Sequence, residues 1–382
     1  MKRFIYIVCF LLLSIFSNAQ PPTKNNSNAI HLEERSIQKK ESTSESQSID
    51  QHENENQHKI IQQQTITKAK WNEFVDLYNI ATTSPLQKNP TSAQESALNK
   101  SYVGLNAEKQ YNSFEYNLAT FMKSNYNIAN KNFLDEAKRI QPKNKLMLLQ
   151  SVGLYFILNN DKIVYQDLIE LNKQNQWNSD DYDYARDVLE SVSENGVIIT
   201  HGINDSYPML YVQNIENKRK DVTVIPLHLL QSLEFRTTLI KKGFTLTSEK
   251  SVLINPDFIQ KFCKENESKK IQLALTFPTN YFTNMSEALF PIGLTYQYST
   301  NSLQNGNLND KLWSNNLDKS AITKAKGVTG KELSANYIPM LYNLYQYYKA
   351  KDETKKQLDI RKNIIRIGEN INHTNLINEL GL

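Results

Sequence analysis

Apolar positions recur at helical spacing through most of this chain. Trp71, Phe74, Val75 and Tyr78 open the pattern near Ile66. After a loop marked by Pro85 and Pro90 it runs from about Thr91 to Trp177. Phe114, Leu118, Phe121, Leu134, Ala137 and Pro142 stand in the order and spacing of a tetratricopeptide repeat, a helix pair of about 34 residues. Leu148, Val152, Tyr155, Leu168 and Leu171 follow the same offsets. Such positions let one helix pack on the other: Ala137 permits close approach and Pro142 ends the second helix.

The period changes after Asn195-Gly196. Val197-Ile198-Ile199-Thr200 reads as a short buried strand, ended by His201-Gly202. Pro208 to Ile215 reads as a helix opened by Asp205, Ser206 and a first-turn proline. Asp221 to Pro226 predicts a second strand, and Leu233 to Lys242 a helix stopped by Gly243. Ile271 to Phe277 predicts a third strand and Leu294 to Ser299 a fourth. Alternation of this kind predicts a small α/β unit, parallel in its first two strands. Gln304 to Asp310 reads as a polar loop. Helix returns with Tyr337, Leu341, Leu344, Tyr345 and Tyr348 on one face, and Leu358, Ile364 and Ile367 on a partner helix. The fold class expected is therefore α/β plus all-α: a small parallel or mixed α/β unit flanked by tetratricopeptide-like helical hairpins.

The amino-terminal part has neither period. Lys2 and Arg3 precede an apolar run, Phe4 to Phe16, and Ser17-Asn18-Ala19 suits a signal peptidase, so residues 1–19 read as a secretory signal peptide. The run is shorter than the roughly 20 residues that span a bilayer. Cys9 follows Val8 rather than a small residue, which argues against a lipoprotein anchor. Residues 20–65 are rich in Gln, Asn, Ser, Glu and Lys and read as a disordered polar linker. His31, His52 and His58 fall there at loose spacing, which suits a solvated segment better than a metal tract. The domains expected are thus 1–19 signal peptide, 20–65 linker, 66–190 helical repeats, 191–303 α/β module and 304–382 helical region. Export places the chain in the periplasm or outside the cell.

Charge narrows the partners. The formal net charge of +4 becomes +2 once Lys2 and Arg3 leave, which is too little for a nucleic-acid partner. Cys263 is then the one remaining thiol. It has no internal disulfide partner, and its apolar setting, Phe258 to Cys263, predicts a buried, inert side chain.

Candidate chemistry concentrates in Thr200-His201-Gly202-Ile203-Asn204-Asp205-Ser206-Tyr207-Pro208. This stretch follows the first strand and opens a helix, where ligands bind in open α/β sheets. Thr200, His201, Asn204, Asp205, Tyr207, Tyr211, Gln213 and His228 are its candidate ligand-binding residues. The alternative is structural: Asp205 or Ser206 caps the helix and Gly202 serves the turn. His201 and His228 sit just past the first and second candidate strands; if those strands are adjacent and parallel, the two rings could converge and with Asp205 form a two-histidine, one-carboxylate metal set. No GxSxG elbow, P-loop, HExxH or GxGxxG is present. No catalytic residue and no cofactor is assigned.

Gly196-Val-Ile-Ile-Thr-His-Gly-Ile-Asn-Asp-Ser-Tyr-Pro-Met-Leu-Tyr-Val-Gln, followed by Lys218-Arg-Lys-Asp-Val-Thr-Val-Ile-Pro-Leu-His-Leu-Leu, resembles a soluble region of bacterial envelope proteins. That region forms the carboxyl-terminal part of membrane proteins similar to O-mannosyltransferases. The family run reads approximately T-N-G-D-N-D-T-(F/Y)-P-L-W-Y-x-Q. Ile271 to Pro278 and Pro291 to Tyr298 resemble its later segments, and flanking helical repeats are usual there. Thr200, Gly202, Asn204, Asp205, Tyr207, Pro208, Tyr211 and Gln213 match the pattern. His201, Ile203, Pro226 and His228 depart from it, and Ile203 removes an acid. The transferases carry their catalytic machinery in a membrane part. The resemblance therefore implies a soluble accessory or binding module.

The function expected is a non-catalytic, exported envelope scaffold that binds envelope proteins or peptides, accessory to a secretion, motility or glycosylation assembly. The first alternative is a glycan-binding module using the 200–213 segment and nearby tyrosines. The second is a metal-dependent hydrolase, which requires His201, His228 and Asp205 to meet.

Overall fold

The computed structural model describes residues 67–82, 90–106, 112–325 and 327–382. The expected signal peptide, the linker with His31, His52 and His58, and Pro85 lie outside the described residues. Helix α1 (67–82) and α2 (Ser92–Asn106) lead into two hairpins, α3 (Phe114–Met122) with α4 (Lys131–Ile140) and α5 (Lys145–Ile157) with α6 (Asp161–Lys173). Every apolar position that marked a repeat from Phe114 to Leu171 is buried except Pro142, which is exposed just past the end of α4. Gln141, just before Pro142, has left the helical basin (φ −132°, ψ 76°), as the proline ring requires of its neighbour.

Asparagine punctuates these hairpins at both ends. The Asn144 and Asn160 side chains accept from the amides of Met147 and Ile163, satisfying first-turn donors. Asn159 and Asn175 take the left-handed conformation after α5 and α6 (φ 52° and 51°), and the next amides reach back to Tyr155 and Leu171. This is the Schellman closure, with asparagine in the place glycine usually takes.

A third helix pair, α7 (Ser179–Ser191) and α8 (Ile203–Asn214), brackets β1 (Val197–Thr200). The chain continues through β2 (Thr223–Pro226), a 3-10 turn (Leu227–Gln231), α9 (Leu233–Lys241), α10 (Pro256–Glu265) and β3 (Ile271–Ala274). A hairpin of β4 (Leu289–Ile292) and β5 (Thr295–Tyr298) completes a five-stranded sheet ordered β2-β1-β3-β5-β4. β1 pairs in parallel with β2 and β3, while β5 runs antiparallel to β3 and β4, so the sheet is mixed. Strand β4 was not legible as a strand because of Pro291. It lies at the sheet edge, the place where a missing N–H is tolerated.

The carboxyl-terminal part comprises α11 (Asn305–Lys311), α12 (Ser320–Thr323), α13 (Val328–Ser334), α14 (Ile338–Ala350), α15 (Thr354–Asn370) and α16 (Leu376–Glu379). The polar stretch read as a loop at Gln304 to Asp310 is thus helical from Asn305. Tyr337, Leu341, Leu344 and Tyr348 are buried as their spacing implied, and α14 packs on α15. Leu358 is a correction: it is 52% exposed, and Ile360 fills the inward position with Ile364 and Ile367.

One face of α7 ties the α/β unit to the carboxyl-terminal part. Asp180, Tyr184, Asp187 and Ser191 recur at helical spacing, all buried and all polar. Asp180 accepts from the Gly327 amide at 3.1 Å, and the Tyr184 hydroxyl accepts from the Asn336 carboxamide at 2.9 Å. Asp187 accepts from the amides of Asp318 and Lys319 at 2.8 and 2.9 Å and from the Tyr337 hydroxyl. The Ser191 hydroxyl accepts from the Leu294 amide at 2.9 Å. Asp187→Ala leaves three donors without their acceptor and is expected to cost about 3 kcal/mol. Hydrogen exchange checks it: the amides of Asp318 and Lys319 should lose protection first, and unchanged protection would show that another group holds this segment.

Candidate functional site

The carboxyl end of β1 feeds directly into α8. The helix begins at Ile203, five residues earlier than the sequence pattern implied, with Gly202 as its N-cap. Pro208 is therefore inside the helix rather than in its first turn. Neither Asp205 nor Ser206 is the N-cap. Asp205 lies in the first turn and its Oδ2 turns back to accept from the His201 amide at 3.1 Å. The same oxygen accepts from Thr276 Oγ1 at 2.7 Å. One carboxylate oxygen thus joins the segment after β1 to the segment after β3. Ser206 Oγ bonds both the Gly202 carbonyl and Thr200 Oγ1, which is fully buried.

The remaining expected site residues separate into different surroundings. The His201 ring packs edge-on against Phe277 and Tyr281, at 5.3 and 5.9 Å between centroids. The His228 ring lies between Tyr126 and Tyr207 at 6.1 and 6.0 Å. Among the described residues no group of three or more His, Cys, Asp or Glu side chains is placed to hold a metal ion. The convergence of His201, His228 and Asp205 that the metal-dependent alternative required is therefore not found, because the two imidazoles are drawn into separate aromatic clusters.

Tyr207 is fully buried and donates to the Leu149 carbonyl at 3.0 Å, which bonds α8 to the second hairpin. Burial pushes its hydroxyl far above the usual tyrosine range. Tyr211 accepts from Asn172 Nδ2 at 3.2 Å and stacks obliquely on Tyr182 at 4.6 Å. Gln213 Nε2 donates to the carbonyls of Arg219 and Val222 at 2.8 and 2.9 Å, and so fastens the turn that enters β2. These groups hold helix to hairpin and turn to strand. Asn204 differs: it is exposed, and its Oδ1 accepts from the Trp177 indole N–H at 3.3 Å.

Sequence reasoning missed two features here. The first is Thr276, Phe277 and Tyr281, which lie some seventy residues away and reach His201 and Asp205 through the β1–β3 pairing. The run Thr276-Phe277-Pro278 carried no local signal for this, having been read as strand through Phe277, whereas β3 ends at Ala274. The second is a cleft of about 190 Å³ at the carboxyl end of α7, lined by Arg186, Glu190, Lys218, Arg219 and Asp318 among others. Its arginines are already engaged. Arg186 pairs with Glu216 (2.7 Å) and Asp183, and Arg219 bonds Asp221 (3.0 Å) and the carbonyls of Leu189 and Val192 at the end of α7. Cations there complement the helix dipole. Cys263 is buried as expected, and burial raises its thiol pKa, which suppresses the thiolate.

Fold and site together define a class of protein: helical hairpins braced on a small mixed α/β unit. A family model described as TMEM260-associated domain 2 matches residues 181–241, which run from the first turn of α7 to the end of α9. The match thus covers the β1–α8–β2 core on which the resemblance to transferase-associated envelope modules rested. No curated protein and no solved structure matches the chain.

Proposed function

We propose that this chain is an exported, non-catalytic scaffold of the cell envelope that presents its helical hairpins to protein or peptide partners. The observation that carries the reading is the use of the polar side chains around 200–213. Asp205, Tyr207, Tyr211 and Gln213 are engaged in bonds that fasten the fold. Helices α1 and α2, which lead into the hairpins, by contrast present apolar side chains to solvent: Ile80 is 61% and Val103 is 63% exposed. Repeat scaffolds bind peptides and partner proteins through their extended concave surfaces. Among the described residues no helix is long and apolar enough to cross a membrane. The resemblance to the soluble part of O-mannosyltransferase-like membrane proteins, with the match to TMEM260-associated domain 2, supports a role beside an envelope glycosylation assembly.

Affinity recovery from envelope extracts tests this. The intact chain is expected to bring down a defined envelope protein. A variant carrying Ile80→Glu and Val103→Glu should lose that partner at unchanged melting temperature. Recovery of the chain alone under gentle conditions, or its residence in the cytoplasmic fraction, overturns the proposal.

A further inference from the structure

Helix α7, the turn before β2 and the segment before α12 meet around the cleft of about 190 Å³. At about 30 Å³ per water, that is room for about six waters, or for one small metabolite. It is less than the roughly 300–1,000 Å³ of a site for a drug-sized ligand. Arg186, Lys218 and Arg219 line it together with Asp187, Glu190 and Asp318. Its cations and carboxylates balance, so net charge favours neither an anion nor a cation.

Most of these groups are committed to the fold. Arg186 holds Glu216 and Asp183, and Arg219 holds Asp221 and the last carbonyls of α7. Asp187 accepts from two amides and the Tyr337 hydroxyl, and Asp318 Oδ2 accepts from Ser320 Oγ at 2.6 Å. Lys218 and Glu190 differ. The Lys218 ammonium stands 3.8 Å from Glu216, and the Glu190 carboxylate 3.9 Å from Arg219. Both separations exceed hydrogen-bond reach, and such loose exposed pairs contribute little. The backbone that carries Lys218 is nevertheless fixed. Its neighbours Asn217 and Arg219 are both left-handed (φ 57° and 46°), a conformation uncommon for arginine. The Lys218 amide donates to the Val212 carbonyl at 3.3 Å, and Gln213 holds the Arg219 carbonyl at 2.8 Å. Residues held in this way cluster at ligand sites.

We propose that this cleft binds a small zwitterion of the free α-amino acid class. Lys218 takes its carboxylate and Glu190 its ammonium, while the engaged arginines keep the walls in place. The chemistry selects the class: a ligand with one charge would satisfy Lys218 or Glu190 and leave the other to its long ion pair, whereas a zwitterion answers both. The volume restricts the ligand to a small side chain. The site is independent of the scaffold reading, whose exposed Ile80 and Val103 lie on α1 and α2.

Titration calorimetry of the intact chain with glycine, alanine and serine at millimolar concentration tests the proposal, with acetate and methylammonium as probes of one charge each. At least one of the amino acids is expected to bind, and neither single-charge probe. Lys218→Met and Glu190→Gln should each weaken binding by about tenfold or more, the loss of one charged hydrogen bond. Both variants should keep the unliganded melting temperature, since each gives up only a long ion pair. No heat with any of the three amino acids overturns the proposal, as does acetate or methylammonium binding as tightly as they do. Wild-type affinity in either variant also overturns it. So does a marked fall in the unliganded melting temperature of either variant, because that charge would then be serving the fold. Envelope-partner recovery by the two variants is scored separately and reports on the scaffold alone.

Discussion

Arg236→Met is expected to lower the free energy of unfolding by about 3–5 kcal/mol, with the loop from Gly243 to Asn255 loosening first. Arg236 sits on α9 with no exposed surface. Its guanidinium donates to the carbonyls of Leu230 and Gln231 at 2.6 and 2.9 Å, of Thr247 at 3.3 Å, and of Glu249. It is thus a hub that closes the 3-10 turn after β2 and gathers the loop after α9. A methionine preserves most of the stem's packing but takes the donor from all four carbonyls; the bond to Leu230 is buried and falls in the range of about 1–3 kcal/mol, and the three partly buried ones cost less. Lysine should recover less than half of the loss, because a compact ammonium cannot reproduce a planar fork. Urea unfolding gives the magnitude, and limited proteolysis between Gly243 and Asn255 gives the location. A loss below about 1 kcal/mol would mean that the loop holds its shape without the guanidinium.

Gly293→Ala is the second large effect. Gly293 forms the β4–β5 turn with φ +55°, in the left-handed region. A Cβ there would come within 2.1 Å of Ser191 Oγ and 2.4 Å of Ser191 Cβ. Gly293 therefore lies directly against α7, and the Leu294 amide bonds the same serine. The substitution therefore combines backbone strain with a clash against helix backbone and side chain. A loss of about 3 kcal/mol or more is expected. Ser191→Gly should be destabilising alone yet recover part of the loss in the Gly293→Ala background, a coupling that a double-mutant cycle reads directly. Strictly additive losses would show that the conformation at Gly293, rather than contact with Ser191, sets the cost.

The hairpins from Phe114 to Leu171, the parallel start of the sheet and the tyrosine stripe of α14 follow from the chain's own periodicity. An apolar stripe at helical spacing must find cover, and a four-residue apolar run between turn signals is most stable buried in a sheet. The asparagines that cap these elements are local as well, since a cap acts over three or four residues.

Tertiary structure alone decided which polar groups lie inside. The row Asp180, Tyr184, Asp187 and Ser191 has the spacing of a solvated helix face, yet it is buried because the segment from Gly293 to Tyr337 brings backbone donors to meet it. Arg236 has the look of a surface residue until the loop after α9 wraps it. Histidines 201 and 228 follow neighbouring strands, yet aromatic neighbours from distant elements, Tyr281 for one and Tyr126 for the other, hold them in separate clusters. A buried polar side chain is stable wherever a partner arrives, and its partner can come from any point along the chain. Local pattern therefore specified most of the elements and their inward apolar faces, whereas the bonds that join those elements arose only when distant segments met.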